Sequence, residues 1–221
     1  RYSDAMDSYP TCNFLPRQED DKAEAKKLSA IVPIIIAQNK YEDVYSDIVW
    51  YTLKHGGSVQ GIFWDGSKHN GLGDISIKRI DFINLFWEPG ITDIQKSRYF
   101  FHTEMVDSDI LEELYPETKG KLKSTTFIST RFLYDDSVST DGKSTVIEVY
   151  YHKHGVLQYC KFVNDIVLYA TENDPQMAQR GLYDHGKYPY VFDPLFPIEG
   201  SPCGYGYVDI CRNPQTAIDI L

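Results

Sequence analysis

The chain has 221 residues, 42% of them apolar, enough for one large domain or two small ones around a sizeable core. Its 22 basic and 32 acidic residues give a net charge of −10, which excludes a broad phosphate-neutralising surface and tight gripping of nucleic acid, while DNA passing an acidic wall stays compatible with it. No apolar run reaches the ~18 residues of a membrane span and no signal peptide is visible; the four cysteines, Cys12, Cys160, Cys203 and Cys211, lack CxxC spacing. A reducing cytoplasm with no membrane partner is the simplest reading, a Cys203 to Cys211 disulfide the lesser alternative.

Residues 1–18 lack periodicity and contain Pro10 and Pro16, so they read as an extended arm in which Thr11 to Leu15 adds to a sheet edge. Residues 19–116 read as helices plus a sheet. Glu19, Asp20 and Asp21 oppose the positive end of a helix dipole, and Ala23, Ala25, Leu28, Ile31 and Val32 follow as its apolar stripe. Pro33 removes a donor and crowds the preceding turn, which predicts a bend or a break near Ile31 to Pro33, with Ile34 to Ile36 continuing helically. Tyr41, Val44, Tyr45, Ile48, Val49 and Thr52 recur at helical spacing and define an amphipathic helix stopped by Gly56 and Gly57.

Ser58 to Asp65 predicts a strand, 66–73 a turn-rich loop, and Asp74 to Ile80 a second strand that completes a hairpin. In that second strand Ile75, Ile77 and Ile80 are set against Ser76, Lys78 and Arg79 as its buried and exposed faces. Trp87, Glu88, Pro89 and Gly90 form a corner, because Pro presets φ and Gly accepts a positive one, and Trp87 is expected to be largely buried there. Asp107 or Ser108 caps a short helix ending at Pro116.

Residues 117–143 read as a mobile loop, and 144–205 as a β-meander (Ser144 to His152, Val156 to Val163, Ile166 to Ala170) followed by an aromatic, Pro-rich covering loop. Gly200, Gly204 and Gly206 are the hinge before a last helix. The chain opens on Arg1 and closes on an apolar periodic run with no helix stop, which predicts a helix cut short in a piece of a longer polypeptide. The fold class predicted from these elements is α+β: N-terminal helices packed on a mixed, mainly antiparallel sheet, then a meander and a truncated C-terminal helix.

Residues that would carry chemistry are scarce. His152 and His154 share a strand face but lack a third ligand, and the pairs Asp20/Asp21 and Asp135/Asp136 sit where carboxylates are normally solvated. The three late glycines precede a helix without the Lys or the spacing of a phosphate cradle. The expectation is therefore no catalytic residue, no cofactor and no metal. With 17 Tyr, a β-rich carbohydrate-binding or hydrolase accessory module is the alternative function, weakened because Trp50, Trp64 and Trp87 all fall on elements expected to bury them.

Taken in order, 16–23, 39–45, 50–57, 61–64, 74–90, 98–102, 107–116, 189–194, 204–209 and 215–219 resemble the portal proteins of tailed bacteriophages. The resemblance implies a structural, non-enzymatic subunit of a dodecameric ring at one capsid vertex. Double-stranded DNA would pass through its channel, and the packaging terminase and the capsid and scaffold proteins would be its partners. It further implies that residues 1–221 are mainly the wing region, with 206–221 starting a helix directed to the stem. The implied location is the virion, and the host cytoplasm during assembly; an integrated prophage is an equally compatible source.

Overall fold

The computed structural model describes residues 2–7, 10–123 and 141–220. In chain order the elements are α1 (Tyr2–Met6), α2 (Lys22–Gln38), α3 (Tyr41–His55), β1 (Gly57–Asp65), the helical turn α4 (Lys68–Gly71), β2 (Asp74–Ile80), β3 (Leu85–Trp87), β4 (Tyr99–Asp107), α5 (Ser108–Leu114), β5 (Lys143–Lys153), β6 (Val156–Val163), β7 (Ile166–Ala170), α6 (Met177–Arg180), β8 (Tyr190–Pro194), β9 (Phe196–Pro197), β10 (Gly204–Tyr205) and α7 (Tyr207–Ile220). The fold is α+β, and every strand pair among the described residues is antiparallel. The chain divides into two compact units, Arg1–Asp81 with Pro189–Leu221, and Phe82–Tyr188. Sequence periodicity does not reveal this division, because β8 returns from far along the chain to pair with β1.

In the first unit, β1 lies between β2 and β8. Helix α3 follows its apolar stripe, burying Ile48 and Thr52, and stops where Gly56 adopts φ 87° and donates its N–H to Thr52 O at 2.9 Å. Pro33 lies inside α2 without dividing it. The N-terminal arm departs from an extended segment: Tyr2–Met6 are helical, fastened by Tyr2, which meets Trp50 edge-on at 5.6 Å and hydrogen-bonds Ser46. Thr11 to Leu15 join no sheet; Phe14 instead donates its N–H to Ser29 Oγ on α2 at 3.0 Å.

Helix α3 covers one half of one face of this sheet. Tyr41 OH donates to Gln60 at 2.9 Å, Thr52 to Ser58 at 2.8 Å, and the Arg79 guanidinium lies 4.0 Å over the Tyr51 ring. Strand pleating puts Ser58, Gln60, Ile62 and Trp64 on that face with Ile75, Ile77 and Arg79 of β2. The split of β2 into isoleucines against polar residues is thereby corrected: Arg79 shares a face with Ile75 and Ile77, and Ser76, opposite Phe63, is the buried residue of the strand.

In the second unit the strand order is β3-β4-β5-β6-β7, and the predicted meander appears with its boundaries nearly unchanged. Its β5–β6 turn uses His154 and Gly155, both at positive φ, as a two-residue hairpin of right-handed twist requires. Leu111, Val146 and Val163 form a buried cluster with Tyr115 and Leu122 packed on it. Residues 117–123 belong to the fold, since Thr118 is fully buried and donates to Tyr115 O at 2.7 Å. Of the rest of the expected loop, 124–140, with Asp135 and Asp136, lie outside the described residues, while 141–142 form a turn and Lys143 begins β5.

Candidate functional site

The corner between β3 and β4 is braced by side-chain hydrogen bonds of Arg98 and Ser97. Trp87 ends β3 opposite Phe100, which is fully buried, while Trp87 itself keeps a minor part of its surface exposed, because the corner lies at the edge of the five-stranded sheet. Pro89 is exposed, and Gly90 takes φ 80° with open space where a Cβ would stand, so its requirement is purely conformational. The Glu88 carboxylate accepts from the Arg98 backbone N–H at 3.2 Å, from Nε at 3.1 Å and from Nη2 at 2.7 Å, and these bonds hold its pKa below the usual carboxylate range.

Behind the corner, Ser97 Oγ accepts from the Glu88 N–H at 3.1 Å and donates to Tyr99 O at 2.6 Å. Gln95 pairs with the Tyr188 backbone through two bonds of 2.9 and 3.1 Å, and Tyr188 OH donates to Ser97 O at 2.8 Å. Burial pushes the Tyr188 hydroxyl up to about 12, so it stays a donor at any physiological pH.

The three late glycines act differently from a hinge. Gly200 alone has a positive φ, of 76°. A Cβ on Gly204 would stand 2.5 Å from Phe196 O and 2.6 Å from Gly56 O; one on Gly206 would stand 2.5 Å from Gly56 N and 2.6 Å from Lys54 O. These two glycines close a seam in which the root of α7 is pressed on the end of α3. Leu195 N–H bonds Gly56 O at 2.9 Å, Gly206 N–H bonds the Asp209 carboxylate at 2.9 Å, and Phe196 stacks on Tyr205 at 5.1 Å. Beyond Tyr207, α7 is exposed along its length.

A polar cluster missed by the sequence reading spans three strands of the second unit. Glu148 on β5 is paired by register with His102 on β4 and Lys161 on β6. Its carboxylate meets His102 Nδ1 at 3.2 Å, Lys161 Nζ at 3.3 Å and the Tyr159 hydroxyl at 2.9 Å. Burial works to raise its pKa, but the His102 bond, the Lys161 charge and the Tyr159 bond override burial and bring it down to about 2. The same burial and the neighbouring carboxylate push the Tyr159 hydroxyl far upward. Only the cross-strand register unites these residues, so spacing along the chain carried no signal.

The remaining candidates assemble nothing. His152 bonds Tyr188 OH at 3.2 Å and Gly186 O at 2.9 Å, and His154 occupies the hairpin turn. Asp20 and Asp21 are exposed at the start of α2, and all four cysteines are free. Among the described residues there is no group of three metal-capable side chains, and no helix is long and apolar enough to cross a membrane. A 720 Å³ cavity opens between the arm at Pro10 to Asn13 and the α2–α3 junction at Pro33, Ile36 and Tyr41; one of 290 Å³ lies by Lys153, Glu172 and Gln179. Neither takes in the corner, the glycine seam or the Glu148 cluster.

The expected burial of Trp50 and Trp64 is corrected. Trp50 falls on the solvent side of α3 beside Tyr2, and Trp64 lies at the open end of β1, its indole over Gly73 where a Cβ would be 2.5 Å away. Neither lines either cavity.

The polar groups described thus brace backbone and strands of an α+β fold, with α7 rooted at Gly204 and Gly206 and exposed beyond Tyr207. The chain matches the model of the phage P22-like portal protein family over residues 3–188 and belongs to that family. It is accordingly a structural component of the portal at the phage capsid vertex. No curated protein matches the chain.

Proposed function

We propose that the chain is a wing-forming subunit of a closed portal ring, with α7 directed toward the stem, double-stranded DNA passing through the ring's channel, and the packaging terminase docking on the assembled ring. The observation that carries this reading is the family match over most of the chain. The solvent-facing α7, rigidly rooted at Gly204 and Gly206, supports it, since a helix committed to an assembly needs a fixed exit direction and an unburied length. Chemistry is left to partners, and the corner at Trp87, Pro89 and Gly90 holds strands in a set relation. The net charge of −10 favours passage of DNA over adhesion. Electron microscopy of the full-length protein tests the reading: ring-shaped particles with a central channel are expected, and folded full-length protein that yields no closed rings overturns it.

A further inference from the structure

The first unit exposes two apolar surfaces that match each other. On α2 the aliphatic side chains Leu28, Ile31 and Ile34 point outward, Ile31 50% and Ile34 57% exposed, although the helix buries only Ala25. On the sheet, the half-face beyond the reach of α3 presents Ile62 opposite Ile77 and Trp64 opposite Ile75, with Trp64 59% exposed and Leu72 at the hairpin tip 82% exposed. The tip holding Leu72 is preorganised: His69 and Asn70 are both left-handed, the His69 ring meets the Asp74 carboxylate at 3.1 Å, and Lys68 Nζ donates to Ile75 O at 2.8 Å.

An apolar sheet face and an apolar helix stripe are the two halves of a standard layer, and each normally buries itself on the other. Their dimensions agree. Leu28 to Ile34 span about 9 Å along a helix axis, and Ile62 to Trp64 span about 7 Å along a strand, with Leu72 beyond. Their rims agree in charge. Lys26 and Lys27 flank the helix stripe, Lys27 at 3.1 Å from Glu24, while Asp65 and Asp74 edge the sheet patch beside Lys68, both held ionised by hydrogen bonds, from Ser67 and from Ile75.

We propose that α2 of one copy docks on the open half-face of β1 and β2 of the next copy. The two patches are different surfaces of one unit, so the contact is head-to-tail, the kind that generates a ring when its rotation closes. The proposal rests on the ring reading and names the surfaces that would join neighbouring subunits.

The test uses two exposed-site variants, Ile31→Asp and Ile62→Asp, each checked for native circular dichroism, in sedimentation velocity and electron microscopy beside the unaltered chain. Either variant alone loses self-association, its apparent dissociation constant rising by about thirtyfold or more for an unpaired charge buried in the contact. Mixed together they form dimers and nothing larger, because the intact sheet of one meets the intact helix of the other. At the fully solvated rim, Lys26→Glu with Lys27→Glu weakens assembly, and Asp65→Lys in the partner copy restores it.

Variants that assemble like the unaltered chain, a mixture that stays monomeric, or an unaltered chain that never associates would overturn the docking. Rings from both variants would overturn it and leave the ring reading intact. Open filaments from the unaltered chain, together with dimers from the mixture, would uphold the docking and sink the ring.

Discussion

The two units of the chain solve the same problem, burying a sheet, to different degrees. Among the described residues, the second unit buries nine apolar side chains, from Leu85 to Tyr188, whereas the first buries four, Ala25, Ile48, Val59 and Tyr190. The second unit adds a charged brace across three strands at Glu148 and a hydrogen-bonded corner at Glu88. The first covers one half of a sheet face with α3 and leaves Ile62, Trp64, Leu28, Ile31 and Ile34 facing solvent. A subunit that assembles does not bury all of its own apolar surface: one unit holds shape, and the other keeps apolar area for association, which family membership in a portal gives a use.

The largest expected effect breaks the finished unit. Phe100 is fully buried between Tyr150 and Tyr188, with ring centroids at 6.3 and 5.7 Å, so Phe100→Ala should cost about 3–5 kcal/mol from lost burial and the cavity left behind. Denaturant unfolding followed by hydrogen exchange checks it: protection in β4, β5 and β6 should collapse while β1 and β2 keep theirs. Equal loss in both sheets would show that the units unfold as one.

Next comes the Glu148 brace. Its folded pKa of about 2 lies below its ordinary 4.5, so the stabilisation is present above 4.5 and is lost as pH falls toward 2. The amount is on the order of 2–3 kcal/mol, given a carboxylate mostly out of water. Stability measured between pH 6 and pH 2 should fall along that window, and Glu148→Gln should flatten the fall while lowering stability at neutral pH. An unchanged slope in the variant would remove Glu148 from the account.

Glycine substitutions separate the seam from the corner. Gly206→Ala drives a methyl to 2.5 Å from the Gly56 nitrogen, a collision with backbone that should cost about 1–3 kcal/mol and raise exchange in α7 and the end of α3. Gly90→Ala meets open space and carries only the left-handed conformational penalty, about 1 kcal/mol. Thermal unfolding that ranks Gly90 above Gly206 would contradict the distinction between a close approach and a free corner.

Local rules account for what the sequence revealed. The stripe of α3, the three strands of the meander and the turn at Gly90 each follow from periodicity or from a residue's own φ, and all three stand where expected. Long-range matters stayed hidden. Glu148 meets His102 and Lys161 only through register, Gly204 and Gly206 matter because Gly56 approaches from far along the chain, and five-residue α1 depends on Tyr2 finding Trp50. Trp64 is exposed for a related reason: an apolar pattern marks a face fit for burial, not that its own chain supplies the cover.

The smallest effect on stability is the most informative about the first unit. Ile31 is 50% exposed on a helix whose only buried residue is Ala25, and isoleucine and aspartate differ little in helix propensity. Ile31→Asp should therefore shift the unfolding free energy of the single chain by no more than about 0.5 kcal/mol, read from chemical denaturation at a concentration where the chain is dissociated. At assembling concentrations the same substitution should remove the extra stability that association lends, so the two denaturation curves converge on the dissociated one. A loss above about 2 kcal/mol in the dissociated chain would mean that α2 already spends its aliphatic stripe on its own fold, and the contrast between a finished unit and an open one would fail.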